Sequence, residues 1–229
     1  MRAKKKVLLL GPAHPYRGGI ADTQNYLAQN ISRLGHEVLV FTFKYQYPKL
    51  LFPGKTQYSS IPAPNGVNIK RKVHSINPLN WIKTSNEINQ YDPDIVFFRY
   101  WTTFLAPCWN CISKRLSSNI KKIALVDNWI PHERKPWDNM MNDLFGKKMD
   151  AFVTLSKAVS NEIEADKPNT KIWSGFHPIG ENLPNIISKA QARKKLGWSK
   201  EKKIVLFFGL IRKYKGLDLL IEAFSKAPL

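Results

Sequence analysis

Apolar residues in this chain gather into short runs, and between the runs they recur at helical spacing. Lys6–Gly11 (KVLLLG) is a continuous apolar stretch ending in glycine, the pattern of a parallel strand covered on both faces. After the loop Pro12–Gly19, residues Ile20, Leu27, Ile31 and Leu34 fall on one helical face, and Gly35 stops the helix. Glu37–Phe43 (EVLVFTF) predicts the next strand, which completes a βαβ unit. Beyond a proline-marked excursion, Lys44–Val67, the alternation resumes. It runs through helix Asn80–Asn89, strand Asp94–Phe98, helix Pro107–Leu116, strand Lys122–Val126, helix Asp138–Lys147, strand Ala151–Leu155 and helix Lys157–Glu164. That order predicts an α/β domain with a Rossmann-like, doubly wound parallel sheet over residues 1–180.

The composition then shifts. His177–Ile187 (HPIGENLPNII) carries the prolines, glycine and asparagines of a linker. Past it the pattern gives helix Lys189–Leu196, strand Lys203–Phe208, a glycine-bounded loop Gly209–Gly216 and helix Leu217–Ala227. Residues 181–229 therefore read as the truncated beginning of a second Rossmann-like domain, because a lone strand and helix cannot close a core.

A hydrophobic content of 43% excludes disorder along the whole chain. Runs such as Val7–Leu10, Val38–Phe41 and Val205–Phe208 are far too short to cross a bilayer, and the basic start Met1–Lys6 leads into too brief an apolar stretch for a signal peptide. The expected compartment is the cytoplasm. Charge changes the picture more: 36 Lys and Arg against 17 Asp and Glu give a formal +19, spread in clusters such as Lys70-Arg71-Lys72 and Arg193-Lys194-Lys195. A broadly positive surface attracts anionic lipid headgroups, nucleic acid and phosphorylated substrates alike. The sequence has no RNP, helix-turn-helix or zinc-finger pattern, so specific nucleic-acid binding is not expected. Its two cysteines, Cys108 and Cys111, cannot form a disulfide framework. With no second pair to complete a zinc site, they read as small residues of a helix rather than a redox or metal pair.

Three segments can carry chemistry. The loop Gly11–Gly19 lacks G-x-G-x-x-G, which argues against a dinucleotide. Its Gly18-Gly19 pair before a helix offers either unencumbered N–H groups for a phosphate or simply a turn needing positive φ. Asp127-Asn128-Trp129-Ile130-Pro131-His132-Glu133 follows a strand, where open α/β sheets bind ligands. Asp127 and His132 could orient or deprotonate a hydroxyl there, or serve as a cap and a surface histidine. Gly209–Asp218 holds Arg212, Lys213 and Lys215 between a strand and a helix, either an arrangement suited to clamping an anion or simply a solvated run of charge.

Phe207–Phe224 (FFGLIRKYKGLDLLIEAF), preceded by ARKKLGW (Ala192–Trp198), resembles the first strand, donor loop and helix of the C-terminal domain of glycosyltransferase family 4. The glycine pair, RLGHEV (Arg33–Val38), DNWIPHE (Asp127–Glu133) and TLSKAV (Thr154–Val159) are similar to the N-terminal domain of that family. The resemblance implies a GT-B fold and retaining transfer from a nucleotide-sugar donor to a polysaccharide or lipid-linked acceptor, with no cofactor and no metal. By the same resemblance Gly18, Gly19 and Lys215 contact the donor diphosphate. Arg212 is the nearest substitute for the arginine that the family places where Leu210 stands. The family commonly has histidine at the position of Asp127, so the acceptor-side role falls to Asp127, to His132 or to neither. The family's E-x7-E segment would lie beyond Leu229, so the chain by itself is expected to be inactive. An anionic membrane surface suits the charge. The alternatives are a non-catalytic basic module or half-enzyme subunit, and a nucleotide-sugar epimerase on the same fold.

Overall fold

Successive side chains of an extended strand point to opposite faces, so four apolar residues in a row need cover on both sides. The computed structural model, which describes residues 3–48, 56–178, 185–209 and 211–226, places this strand, β1 (Lys6–Leu10), between two others. Leu8 and Leu10 join a large core on one face, while Val7 and Leu9 join a smaller core on the other. The sheet is seven-stranded and parallel throughout. It comprises β1, β2 (Glu37–Tyr45), β3 (Asn68–His74), β4 (Ile95–Tyr100), β5 (Lys121–Val126), β6 (Ala151–Thr154) and β7 (Ile172–Ser174) in the order β3-β2-β1-β4-β5-β6-β7. The chain winds first towards β3 and then from β4 towards β7. The direction therefore reverses between β1 and β4, as in a doubly wound fold.

The helices cover the two faces unequally. In α1 (Gly19–Arg33) the buried stripe is Ala21, Gln24 and Ala28; Leu27 and Ile31 flank it, and Leu34 stands exposed at the C-terminal cap. The expected face is thus rotated, because small residues let the helix approach the twisted sheet and larger ones pack at its sides. Across the sheet, α2 (Pro78–Tyr91), α3 (Ala106–Arg115) and α4 (Asp138–Gly146) cover an aromatic core containing Phe98, Tyr100, Trp109, Trp129 and Phe145. Asn77 caps α2 by accepting from the Leu79 and Asn80 amides, Pro78 occupies its first turn, and Asp92 ends it in the left-handed region. Helix α5 (Lys157–Asp166) follows β6. Cys108 is buried and its thiol is pushed up by burial, while Cys111 accepts a bond from Arg115 Nη1. Among the described residues no helix is long and apolar enough to cross a membrane.

Tyr16 is buried against Phe43 and Tyr58, and its hydroxyl is pushed from 10 to about 12, by burial first and by Tyr58 second. A raised folded value stabilises fully below the unfolded one, so this contribution is intact below pH 10 and is lost between pH 10 and 12. Tyr16→Phe is therefore expected to flatten the alkaline unfolding curve in that window, followed by far-UV circular dichroism and phenolate absorbance. An unchanged curve would rule out the linkage.

The chain divides into two compact units, Met1–Gly180 and Glu181–Leu229. In the second, a capping box of Ser188 and Gln191 starts α6 (Lys189–Leu196), Gly197 at φ 68° ends it, and the Arg193 guanidinium holds the carbonyls of Ser199, Lys200 and Lys202. The strand expected at Lys203–Phe208 does not form. A strand exists through a hydrogen-bonded neighbour, and none of the described residues pairs with this one. Helix α7 (Leu217–Lys226) closes the unit, in which no described residue is buried. Leu210, like the middle of the proline-marked excursion and part of the linker, lies outside the described residues.

Candidate functional site

The reversal between β1 and β4 opens a crevice at the carboxyl edge of the sheet, the position at which such folds bind ligands. Gly11 follows β1 there. A Cβ on Gly11 would lie 2.6 Å from the Cβ of Arg99 and 3.1 Å from Gln24 Nε2, so only glycine fits between the neighbouring strand and α1. The loop that follows is fixed along its length. The Ala13 amide donates to Thr42 Oγ1 at 2.9 Å, the His14 amide to Asn25 Oδ1 at 3.2 Å, and the Arg17 amide to the Gln57 carbonyl at 3.0 Å.

Gly18 is the N-cap of α1 at φ 109°, a conformation that L side chains rarely adopt, and no side chain caps the helix. A Cβ at Gly18 or Gly19 would meet nothing within 4 Å. The glycines therefore supply backbone freedom and leave the first amides of α1 open, the requirement for an anion at a helix N-terminus. Beside this turn lies a cleft of about 180 Å³ lined by Pro12, Arg17, Gly18, Gly19, Tyr47 and Trp101 among others. Trp101 Nε1 donates to the Tyr47 hydroxyl at 2.6 Å, and Tyr47 packs on Phe104 at 5.9 Å between ring centres, which fixes the aromatic wall.

The strongest polar feature is one the sequence did not single out. Arg99 leaves β4 beneath the Gly11 loop with its side chain 1% exposed, and it binds Asp127 in a two-pronged pair, Nε to Oδ2 at 2.6 Å and Nη2 to Oδ1 at 2.5 Å. Nη2 also donates to Thr23 Oγ1 at 3.0 Å, and that hydroxyl donates to the Gly19 carbonyl at 2.7 Å. The glycine turn, β4 and the end of β5 are thus joined by one chain of hydrogen bonds. Asp127, read from sequence as a candidate base, has both carboxylate oxygens committed to Arg99. His132, its proposed companion, is exposed on the loop beyond, as is Glu133. Arg212 and Lys215 lie in the second unit, both exposed, Lys215 on a single 3-10 turn, Lys213–Lys215, that Gly216 closes at φ 67°, and Arg212 as the extended residue just before it. Lys215 Nζ sits 5.3 Å from the centre of the Tyr214 ring. The one signal that pointed to Arg99 was a charged residue inside the apolar run DIVFFRYW.

The model of a family described as Glycosyltransferase Family 4 matches residues 17–173. Solved structures similar to the chain include sucrose-phosphate synthase from Thermosynechococcus elongatus, with a TM-score of 0.70 and 15% identity over 98% of this chain and 60% of that one. Anabaena Alr3699/HepE in complex with UDP and glucose gives a TM-score of 0.66 and 14% identity over 98% of this chain and 58% of that one. An alpha-glucosyltransferase in complex with UDP-glucose and DNA containing an abasic site gives 0.52 and 11% over 78% and 44%. These likenesses show the fold, of GT-B type, and the chain spans 41% to 60% of the length of such structures. No curated protein matches the sequence.

Proposed function

The chain belongs to glycosyltransferase family 4, and from that premise we propose that it transfers a sugar, with retention, from a nucleotide-sugar donor to a polysaccharide or lipid-linked acceptor. The observation that carries this reading is the uncapped N-terminus of α1 at Gly18-Gly19, opening beside an aromatic-walled cleft at the switch point of the sheet. Open amides at a helix start suit the diphosphate of a donor, and the Tyr47 and Trp101 faces suit a sugar ring. Structures of HepE with UDP-glucose and with UDP and glucose are consistent with this chemistry in a similar fold.

In the proposed mechanism, negative charge builds on the departing diphosphate as the glycosidic bond breaks. Cations fixed at that position stabilise the transition state more than the ground state, the role given to Lys215 and Arg212. Gly18 and Gly19 contribute amides to the same kind of group. Asp127 is assigned to orientation rather than proton abstraction, since taking a proton would weaken two charge-assisted bonds to Arg99. His132 is the remaining side chain proposed for the acceptor hydroxyl. The donor enters as a substrate, and the reading calls for no resident cofactor. The proposed place of work is the cytoplasmic face of a membrane, where anionic lipid meets the positive surface.

The test is transfer by the natural protein from UDP-, GDP- or ADP-hexoses, followed by proton NMR at the anomeric position. An α-linked donor is expected to give an α-linked product. A β-linked product would overturn retention, and epimerised donor without transfer would favour the epimerase alternative.

A further inference from the structure

Exposed apolar side chains on the helical face of residues 1–180 gather at one edge. Each of α2, α3 and α4 follows a parallel strand, so all three begin at the carboxyl edge of the sheet, where the cleft opens. In α2 the outward residues of the first turns are Leu79, 78% exposed, and Ile82, preceded by Ile76, whereas Asn86 and Gln90 occupy the outward face further along. In α4 the exposed Met140 (61%) and the preceding Trp137 (54%) lie at the same end, and polar groups follow. The start of α3 lies between them, with Phe104 packed on Tyr47 of the cleft, and Thr103 Oγ1 donates to Asp138 Oδ1 at 2.6 Å to lock it to α4. Neighbouring helices pack about 8–10 Å apart, so this band runs roughly 20 Å along the rim.

The cations around the band choose its partner. Lys83 stands one turn after Leu79, and Arg134 and Lys135 stand just before Trp137, all exposed, against the single exposed carboxylate of Glu133 in that loop. A second copy of a chain with a formal charge of +19 would bring like charges together. Tryptophan, methionine and leucine ringed by lysine and arginine match an anionic bilayer instead, with the aromatic ring at headgroup depth and the cations among the phosphates. We propose that the rim formed by Ile76, Leu79, Ile82, Trp137 and Met140 docks edge-on onto an anionic membrane and sets the mouth of the cleft beside Gly18-Gly19 at the lipid surface. This deepens the lipid-linked acceptor reading and rests on it for its purpose. Docking is measured without turnover, however, so failure of either is seen separately.

The experiment is cosedimentation of the chain with vesicles of phosphatidylcholine alone and of phosphatidylcholine with phosphatidylglycerol. Binding to the anionic vesicles is expected to fall about tenfold or more in Leu79→Glu/Met140→Glu, since each side chain loses an apolar transfer and gains a charge. Leu34→Glu, at an equally exposed leucine (75%) on the opposite edge, is expected to bind as the parent does. Replacing Lys83, Arg134 and Lys135 with glutamine should remove the preference for anionic lipid, and Trp137→Phe should remove the quenching by brominated lipid that Trp137 contributes. Circular dichroism establishes that each variant is folded. Retained binding in the double variant, equal loss in Leu34→Glu, or a dimer of the parent that the double variant dissolves would each overturn the proposal.

Discussion

Arg99→Ala is expected to destabilise the chain by about 3–5 kcal/mol, the range for removing one partner of a buried ion pair. The guanidinium is 1% exposed and meets a carboxylate that is 11% exposed. Its loss strands the Asp127 charge with no cation beneath the Gly11 loop and leaves Thr23 without its donor. Arg99→Met/Asp127→Leu removes both charges and replaces them with apolar volume, so most of the loss should be recovered, because the desolvation cost of the pair disappears with it. Urea unfolding followed by tryptophan fluorescence suits the measurement, as Trp109 and Trp129 are fully buried in the same core. A cost below about 1 kcal/mol for Arg99→Ala would mean that the pair behaves like a surface bridge.

The second large effect belongs to the proposed donor side. Lys215→Ala should lower kcat of the natural enzyme by about 10²–10³-fold, the scale of losing one group that stabilises developing charge. Arg212→Ala should cost a comparable or smaller factor. Lys215 is exposed on its 3-10 turn and lies against the Tyr214 ring, so its removal leaves no cavity and the loss reads on chemistry rather than on folding. Steady-state kinetics and nucleoside-diphosphate binding together decide it. Wild-type kcat with wild-type affinity would reduce the loop to a solvated run of charge.

Where a strand is covered on both faces, its sequence is apolar without interruption, and β1, β2, β4, β5 and β6 were legible for that reason. β3 was not, because NIKRKVH lies at the sheet edge and needs to bury little besides Val73. Three-residue β7 is too short for any period to register. The strand expected at 203–208 shows the converse: an apolar run supplies a wish to be covered, and only a partner makes it a ladder. At the candidate site, the glycine pair and Asp127 could be found because both stand at strand and helix ends. The Arg99–Asp127 pair could not, since it joins residues 28 apart through the parallel register that sets Arg99 opposite Leu125, two residues before Asp127.

Among the described residues the sheet has two open edges, and each bears on how crowded copies behave. On β3, Lys70, Arg71 and Lys72 follow one another, and Arg71 turns back to bind the Phe43 and Lys44 carbonyls. A strand from another molecule could add to that edge only by bringing its own backbone against this row of cations. At the far edge β7 offers three residues, too few to template a ladder. Concentrated on a surface, such molecules can lie side by side without their sheets fusing, so local crowding need not lead to β-aggregation.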